Sequence, residues 1–212
     1  MQEDSREKRG LSRRKFLKAG VLSSLVPFLV GKSRGFAQTH KHSESGALMF
    51  FSPYQAAVVE AAAARIIPGN ENDPGAREAG VVDYIDRALA GVYADHQGVY
   101  RRGISAMDSY AGRKFRKSFI ELTEVQQDQV LQDMEEGKAT EFTHPSALEF
   151  FNLLLQHTIE GMFSDPVYGG NRDAVGWKLI GFPGAQYAYN ADEMQADADL
   201  SRKRIVTLKD LY

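Results

Sequence analysis

The sequence predicts an all-α protein: an irregular helical domain of about five helices, then a loop region rich in glycine and aromatic residues, then an extended C-terminal tail. Two observations predict this class. Apolar residues recur at helical spacing in five successive segments that begin or end at capping or turn residues. No segment alternates apolar and polar residues over a strand length, and no repeat of about 20 to 50 residues occurs. With 212 residues, 43% of them hydrophobic, the chain can build one domain with a core.

The first two predicted helices are amphipathic. Ser52 can cap the first helix, Pro53 suits its first position, and Gln55 stands where a capping-box partner reaches back. The helix is expected to stop at Pro68 and Gly69. Its apolar face consists of Ala56, Val59, Ala62, Ala63, Ile66 and Ile67. A loop over residues 70–79 leads to the second helix, whose apolar stripe is Val81, Val82, Ile85, Ala88 and Leu89.

Three more helices follow by the same criteria. The third carries apolar residues over 99–111 and is expected to stop at Gly112. The fourth begins at a capping box of Thr123 and Gln126 and ends near Gly137. The fifth begins at a capping box of Ser146 and Glu149. It is the most apolar helix, so we expect it at the centre of the core. Its apolar positions are Leu148, Phe151, Leu154, Leu155, Thr158, Ile159 and Met162.

Charge and composition exclude several classes of function. Residues 1–37 hold nine Lys/Arg and three Asp/Glu, which gives a net charge of +6. Residues 38–212 hold seventeen Lys/Arg and twenty-five Asp/Glu, which gives a net charge of −8. The acidic body has no clustered basic stretch, which argues against nucleic acid or anionic lipid as a partner. The chain has no cysteine, which excludes a thiol nucleophile, thiolate-ligated iron–sulfur clusters, covalent c-type haem attachment and disulfides.

Residues 1–37 are predicted to be a twin-arginine export signal. The motif consists of Ser12, Arg13, Arg14, Lys15, Phe16, Leu17 and Lys18. The apolar stretch at 19–30 is shorter than the roughly 20 residues of a membrane-spanning helix, and Gly35 and Ala37 offer small residues to a signal peptidase. The alternative is a chance arginine pair before an ordinary secretory signal or an amphipathic helix.

The signal implies a periplasmic protein with a partner. The twin-arginine route carries proteins that have already folded in the cytoplasm, usually with a cofactor or a partner, and this chain shows no cofactor motif. The remaining organisation is a polar arm at 38–50, the helical domain at 51–189 and a polar tail at 190–212. His40 and His42 in the arm could contact a metal, but a solvated terminus explains them more simply.

Two pairs of side chains could carry chemistry in the helical domain. Asp83 and Asp86 lie one turn apart on the second helix, a spacing that suits acid–base catalysis, but a solvated helix face is the simpler interpretation. His157 and Glu160 lie three residues apart on the fifth helix and could be metal ligands. We expect His157 to be a hydrogen-bonded structural histidine instead, because no third ligand is evident.

From Ser164 onwards glycine and aromatic residues alternate without a helical period, which predicts a mostly irregular path. The large apolar side chains of this stretch must be buried against something. Three interpretations remain open: a loop folded over the chain's own core, a ligand-binding loop, or a docking surface for another protein. The polar tail has too little apolar content to build structure alone.

Over residues 51–185 the chain resembles the gluconate 2-dehydrogenase subunit 3 family. The helix that ends in Arg65, Ile66, Ile67, Pro68 and Gly69 carries part of the resemblance, as do residues 74–76, 79–85 and 158–163. The most specific marks are Asp165, Pro166, Tyr168, Gly169, Gly170, Asn171, Gly176, Trp177, Ile180, Gly181, Phe182, Pro183 and Gly184.

The resemblance implies a non-catalytic small subunit in a membrane-associated complex. Its partners would be a large FAD-containing dehydrogenase of the glucose-methanol-choline type, which oxidises a sugar, polyol or sugar acid, and often a multi-haem cytochrome c. The flavin and the catalytic base would belong to the large subunit, and the small subunit would supply the signal for the twin-arginine translocase. The residues expected to shape the partner contact are Asp165, Pro166, Tyr168, Gly169, Gly170, Asn171, Trp177, Phe182 and Pro183.

Two other functions stay open on the residues. One is a stand-alone periplasmic enzyme, whose site would use Asp165, Tyr168, Asn171, Asp173 or His157. The other is a structural or binding protein unrelated to redox chemistry.

Overall fold

The computed structural model describes residues 47–70, 72–195 and 197–211, and this part of the chain is all-α. Its six α-helices are α1 (Pro53–Ile66), α2 (Val81–Ala90), α3 (Gln97–Phe115), α4 (Glu124–Glu135), α5 (Ala147–Phe163) and α6 (Val175–Ile180). Short 3-10 turns lie at Ala94–His96, Phe119–Glu121, Pro166–Tyr168, Arg172–Ala174 and Leu208–Asp210. The export signal and the two arm histidines lie outside the described residues, so these predictions stay predictions.

The capping signals in the sequence are confirmed. The side chains of Ser52, Thr123 and Ser146 each accept a hydrogen bond from the backbone three residues ahead, and a Gln or Glu side chain returns the bond. Gly137 follows α4 with φ of +68°, a left-handed conformation that glycine adopts without strain. These boundaries could be predicted because each depends on side chains within one helical turn.

One helix boundary and one segment differ from the prediction. Helix α3 passes through Gly112 and ends at Phe115, because one glycine inside a helix costs only about 1 kcal/mol. Its last turn carries Arg113 and Lys114, which form ion pairs with Glu141 and Asp133. The stretch after Ser164 is also less irregular than predicted, since it contains α6 and two 3-10 turns.

Helix α5 occupies the centre of the domain, as its apolar sequence predicts. It packs against α1, α2, α3, α4 and α6, and it buries Phe150, Leu154 and Met162 almost completely. Gly103 of α3 lies against the Phe150 ring, so the two helices approach closely. Among the residues that the structure describes, no helix has both the length and the apolar character needed to cross a membrane.

Asp83 and Asp86 do not form the solvated face that we predicted. The Asp86 carboxylate is buried and accepts hydrogen bonds from the backbone N–H groups of Met49 at 2.6 Å, Phe50 at 3.0 Å and Phe51 at 2.8 Å. Asp83 accepts from the Arg172 guanidinium at 2.7 Å. The two side chains therefore anchor other parts of the chain to α2, because a buried carboxylate requires donors and finds them in segments distant in sequence.

Candidate docking surface

The segment after α5, residues 164–184, folds back tightly onto the end of that helix. A Cβ atom added to Gly170 would collide with the carbonyl oxygen of Gly161, and one added to Gly176 would collide with that of Met162. Backbone therefore packs directly on backbone at both positions, which only glycine permits. The glycines of this segment bring the loop and α6 against α5.

Asn171 locks this arrangement through three hydrogen bonds. Its side chain is fully buried and its φ is +44°. The Asn171 N–H donates to Gly161 O at 2.7 Å, its Nδ2 donates to Ser164 O at 2.8 Å, and its Oδ1 accepts from Gly176 N–H at 2.8 Å. Asparagine tolerates the left-handed region better than most residues and can satisfy both kinds of backbone group. Asn171 thus joins the end of α5 to the start of α6.

Trp177 is the apolar anchor of the segment. Only 4% of its surface is exposed, and its indole N–H donates to Phe163 O at 2.7 Å. The Phe182 ring meets it edge-on, with ring centroids 5.2 Å apart. The first of the three interpretations from sequence, self-packing, therefore describes Trp177, whose contribution to any partner contact is to support the side chains around it.

Asp165 and Arg172 tie the segment to two further parts of the chain. The Asp165 carboxylate accepts from Val167 N–H at 3.0 Å within its own turn and from Leu208 N–H of the tail at 2.8 Å. Arg172 forms the ion pair with Asp83 of α2 already described. The turn between them is therefore held on both sides, which gives the segment a defined shape.

On this support residues 167–187 expose a set of apolar side chains, which we call the apolar face. Tyr168 is 55% exposed, Ile180 59% and Phe182 43%, and the whole set is Val167, Tyr168, Leu179, Ile180, Phe182 and Tyr187. The set holds six of the fourteen exposed large hydrophobic side chains among the described residues, within 21 positions, so exposed apolar side chains are concentrated in this stretch of the sequence. A groove of about 400 Å³ runs between residues 180–183 and tail residues 198–201.

The nine residues predicted to shape a partner contact thus divide into two groups. Tyr168 and Phe182 are exposed and can touch a partner. The others lie beneath or beside them as support: Asp165, Pro166, Gly169, Gly170, Asn171, Trp177 and Pro183.

Sequence reasoning missed Val167, Leu179 and Ile180. A helical interpretation of residues 175–180 would have found Leu179, because the second position after the inward-facing Trp177 lies on the opposite side of a helix. Ile180 lies three positions after Trp177, on the same side, and is exposed as the last residue of α6.

Three of the five candidate residues for a stand-alone enzyme make structural contacts, while Tyr168 and Asp173 are exposed. The side-chain polar atoms of Asp165 and Asn171 form hydrogen bonds with backbone groups. His157 lies in a separate aromatic cluster, where its ring stacks on Tyr93 at a centroid distance of 4.6 Å and on Tyr100 at 5.7 Å. In the described part of the chain no three His, Asp or Glu side chains are placed to hold a metal ion.

His157 is the hydrogen-bonded structural histidine that we predicted. Its Nδ1 lies 3.0 Å from the Tyr100 hydroxyl, while its buried Nε2 has no hydrogen-bond partner among the described residues. Glu160, the expected second member of the pair, instead accepts from the hydroxyls of Tyr84 at 2.9 Å and Tyr93 at 3.2 Å. Burial lowers the pKa of His157 from 6.5 to about 4, the charge of His96 acts in the same direction, and Glu160 opposes both.

This shift predicts an acid-sensitive fold. As pH falls below 6.5 the unfolded chain binds a proton at His157 that the folded chain refuses until about pH 4, so the free energy of unfolding decreases over this window by up to about 3 kcal/mol. Urea unfolding of the wild type and of His157→Gln at pH 7.5 and 5.0 measures the effect. The variant should lose less stability on acidification than the wild type. If His157→Gln lost as much stability on acidification as the wild type, the explanation would be ruled out. It would also be ruled out if the exposed control His144→Gln reduced the acid sensitivity as much as His157→Gln does.

Comparison with known proteins identifies the family. The family model described as gluconate 2-dehydrogenase subunit 3 matches residues 53–184. The match begins at the first residue of α1, contains all six α-helices and ends before the tail. No curated protein and no solved structure shows a significant match. Since the family model covers more than half of the 212 residues, the chain belongs to the gluconate 2-dehydrogenase subunit 3 family.

Proposed function

We propose that this chain is a non-catalytic subunit that binds a large FAD-containing dehydrogenase of the glucose-methanol-choline type and escorts it through the twin-arginine pathway. Membership of a family named for a dehydrogenase subunit associates the chain with a larger dehydrogenase complex. The complex would oxidise a sugar, polyol or sugar acid in the periplasm, and a multi-haem cytochrome c would carry its electrons onward. The flavin and the catalytic base are assigned to the large subunit.

The observation that carries the proposal is the apolar face on its rigid support. Apolar side chains left in water favour association, and a preformed surface loses little conformational entropy when a partner binds. Aromatic anchors such as Tyr168 and Phe182 are typical of the residues that dominate binding energy at interfaces. The polar atoms of Asp165 and Asn171 make backbone hydrogen bonds and His157 packs in an aromatic cluster, which supports a binding role over a catalytic one.

The export role is supported by the sequence of residues 12–18 together with the family. A leader in which paired arginines precede an apolar stretch, Gly35 and Ala37 fits a twin-arginine substrate. A small subunit with such a signal can carry a folded flavoprotein that has none. The division of the chain into a signal at 1–37, an arm at 38–50, the domain at 51–189 and the tail at 190–212 belongs to this proposal.

Serine substitutions on the apolar face test the docking claim. We expect Tyr168→Ser combined with Ile180→Ser to weaken binding of the flavoprotein at least about 100-fold, because two apolar anchors would be lost. Thermal unfolding of the variant should stay near that of the wild type, since both side chains are more than half exposed.

The matched control is Val92→Ser combined with Val125→Ser, which removes two apolar side chains that are 83% and 78% exposed elsewhere on the domain. Affinity of each purified variant for the flavoprotein, measured by biolayer interferometry, decides the question. A control that loses as much affinity as the test variant would show that the apolar face is not the docking surface.

A further inference from the structure

The C-terminal tail returns to the apolar face and pairs with its last residues. Ala185 N–H donates to Val206 O at 2.7 Å, and Val206 N–H donates to Pro183 O at 3.0 Å, which makes a single parallel β-bridge around Gly184. Two residues further on, Leu208 N–H donates to the Asp165 carboxylate at 2.8 Å. The tail thus presents an extended backbone to an edge formed by residues 183–185 and Asp165, which we call the docking edge.

The tail holds this position without burying a side chain. Every described residue from 185 to 211 is exposed or half-buried, whereas the helical domain contains a continuous buried core. The bond from Leu208 N–H to the buried Asp165 carboxylate is the strong link, whereas hydrogen bonds that water can reach add little stability each, and ordering the tail costs conformational entropy at every residue. The tail should therefore open far more readily than the helices, as weakly packed segments do.

The docking edge is shaped for extended backbone. A Cβ atom on Gly184 would collide with Val206 O and with the Trp177 ring, so the glycine lets the facing chain approach closely. The edge offers one carbonyl acceptor, one N–H donor and, at Asp165, a carboxylate acceptor. These groups recognise the main chain of a peptide rather than particular side chains, which is the chemistry of strand addition.

The surroundings indicate what takes the place of the tail. The docking edge continues directly into the apolar face through Ile180 and Phe182, and tail residues 198–201 form the opposite wall of the groove beside them. The tail also lies beyond residue 184, where the family match ends. A segment with an extended backbone and apolar side chains would satisfy the edge and cover more of the exposed side chains than the tail does, since the tail leaves Ile180 59% and Phe182 43% exposed.

We propose that residues 183–185 and Asp165 form a peptide-docking edge, that the chain's own tail occupies it in the free subunit, and that an extended apolar segment of the flavoprotein displaces the tail when the complex assembles. The inference rests on the proposed function for the identity of the partner. The tail then acts as a strap that covers the edge until the correct partner is present.

The pair Val206→Pro and Val206→Ala separates this role from general damage, because only proline removes the N–H that donates to Pro183. In the full mature chain, Val206→Pro should bind the flavoprotein at least about fivefold more tightly than the wild type, since the competing tail has been released. Val206→Ala should bind like the wild type. Weaker binding by Val206→Pro would overturn the proposal, because the tail would then be part of the interface.

A second arm needs no flavoprotein. A synthetic peptide of residues 203–211 should shift the Ala185 amide resonance of the Val206→Pro chain saturably, and should leave that of Val206→Ala, whose tail is seated, nearly unchanged. Failure of the peptide to affect Val206→Pro would overturn the docking edge. If neither variant nor the wild type bound the flavoprotein, the proposed function would fail, and the peptide result would still decide whether the edge accepts an extended chain.

Discussion

Replacement of Asp86 by alanine is expected to reduce the free energy of unfolding by about 3 to 5 kcal/mol. The carboxylate serves three backbone N–H groups in the stretch that leads into α1, and the one from Phe51 is in the buried part of the structure. Without the acceptor these donors lose charge-assisted bonds, and the buried donor has no access to water. Guanidinium unfolding of the mature chain, followed by far-ultraviolet circular dichroism, measures the change.

The exposed Asp95 provides the control for this substitution. Asp95→Ala should change stability by no more than about 0.5 kcal/mol, because an exposed carboxylate loses little on removal. Asp86→Asn should lie between the two, since its amide retains one oxygen acceptor and loses the charge. An Asp86→Ala protein as stable as Asp95→Ala would mean that Asp86 does not hold the N-terminal stretch in solution.

Lysine substitution of Arg13 and Arg14 is expected to stop export of two proteins at once. The change keeps both positive charges but removes the paired guanidinium groups that define the signal. If this chain carries the flavoprotein, both should be retained in the cytoplasm, and dehydrogenase activity should disappear from the periplasm. Immunoblots of periplasmic and cytoplasmic fractions for both chains measure the distribution.

Arg6 and Arg9 offer a matched control within the same leader. Their replacement by lysine should leave both proteins in the periplasm, because they lie before the motif at residues 12–18. Normal export of the flavoprotein alongside a retained small subunit would contradict the escort role while leaving the docking claim intact.

The helices could be predicted from the sequence because their signals are local. The three capping boxes place both partners within one turn, and the apolar stripe of α5 identifies the helix that the structure places at the centre. Asp86 illustrates the limit of such reasoning. Its partners lie 35 to 37 positions earlier in the chain, so no local pattern distinguishes it from a solvated carboxylate.

The segment at 164–184 could be singled out from the sequence, but the exposure of its side chains could not. Glycine and aromatic composition located the segment, yet the same composition fits a buried Trp177 and an exposed Phe182 equally well. The inward position of one aromatic residue depends on the close backbone contacts of Gly170 and Gly176 with α5, and these contacts are seen only in the folded chain. The pairing of the tail with residues 183–185 was likewise invisible, because a single β-bridge leaves no alternating pattern.

The central claim is that the apolar face binds a flavin-containing dehydrogenase. The most direct test is affinity purification of the tagged mature chain from periplasm, followed by an absorbance spectrum and mass spectrometry of what elutes with it. We predict a flavin spectrum and a large glucose-methanol-choline dehydrogenase in near-equal molar amount, both lost with Tyr168→Ser and Ile180→Ser together. A chain that elutes alone, as a monomer without flavin, would contradict the account.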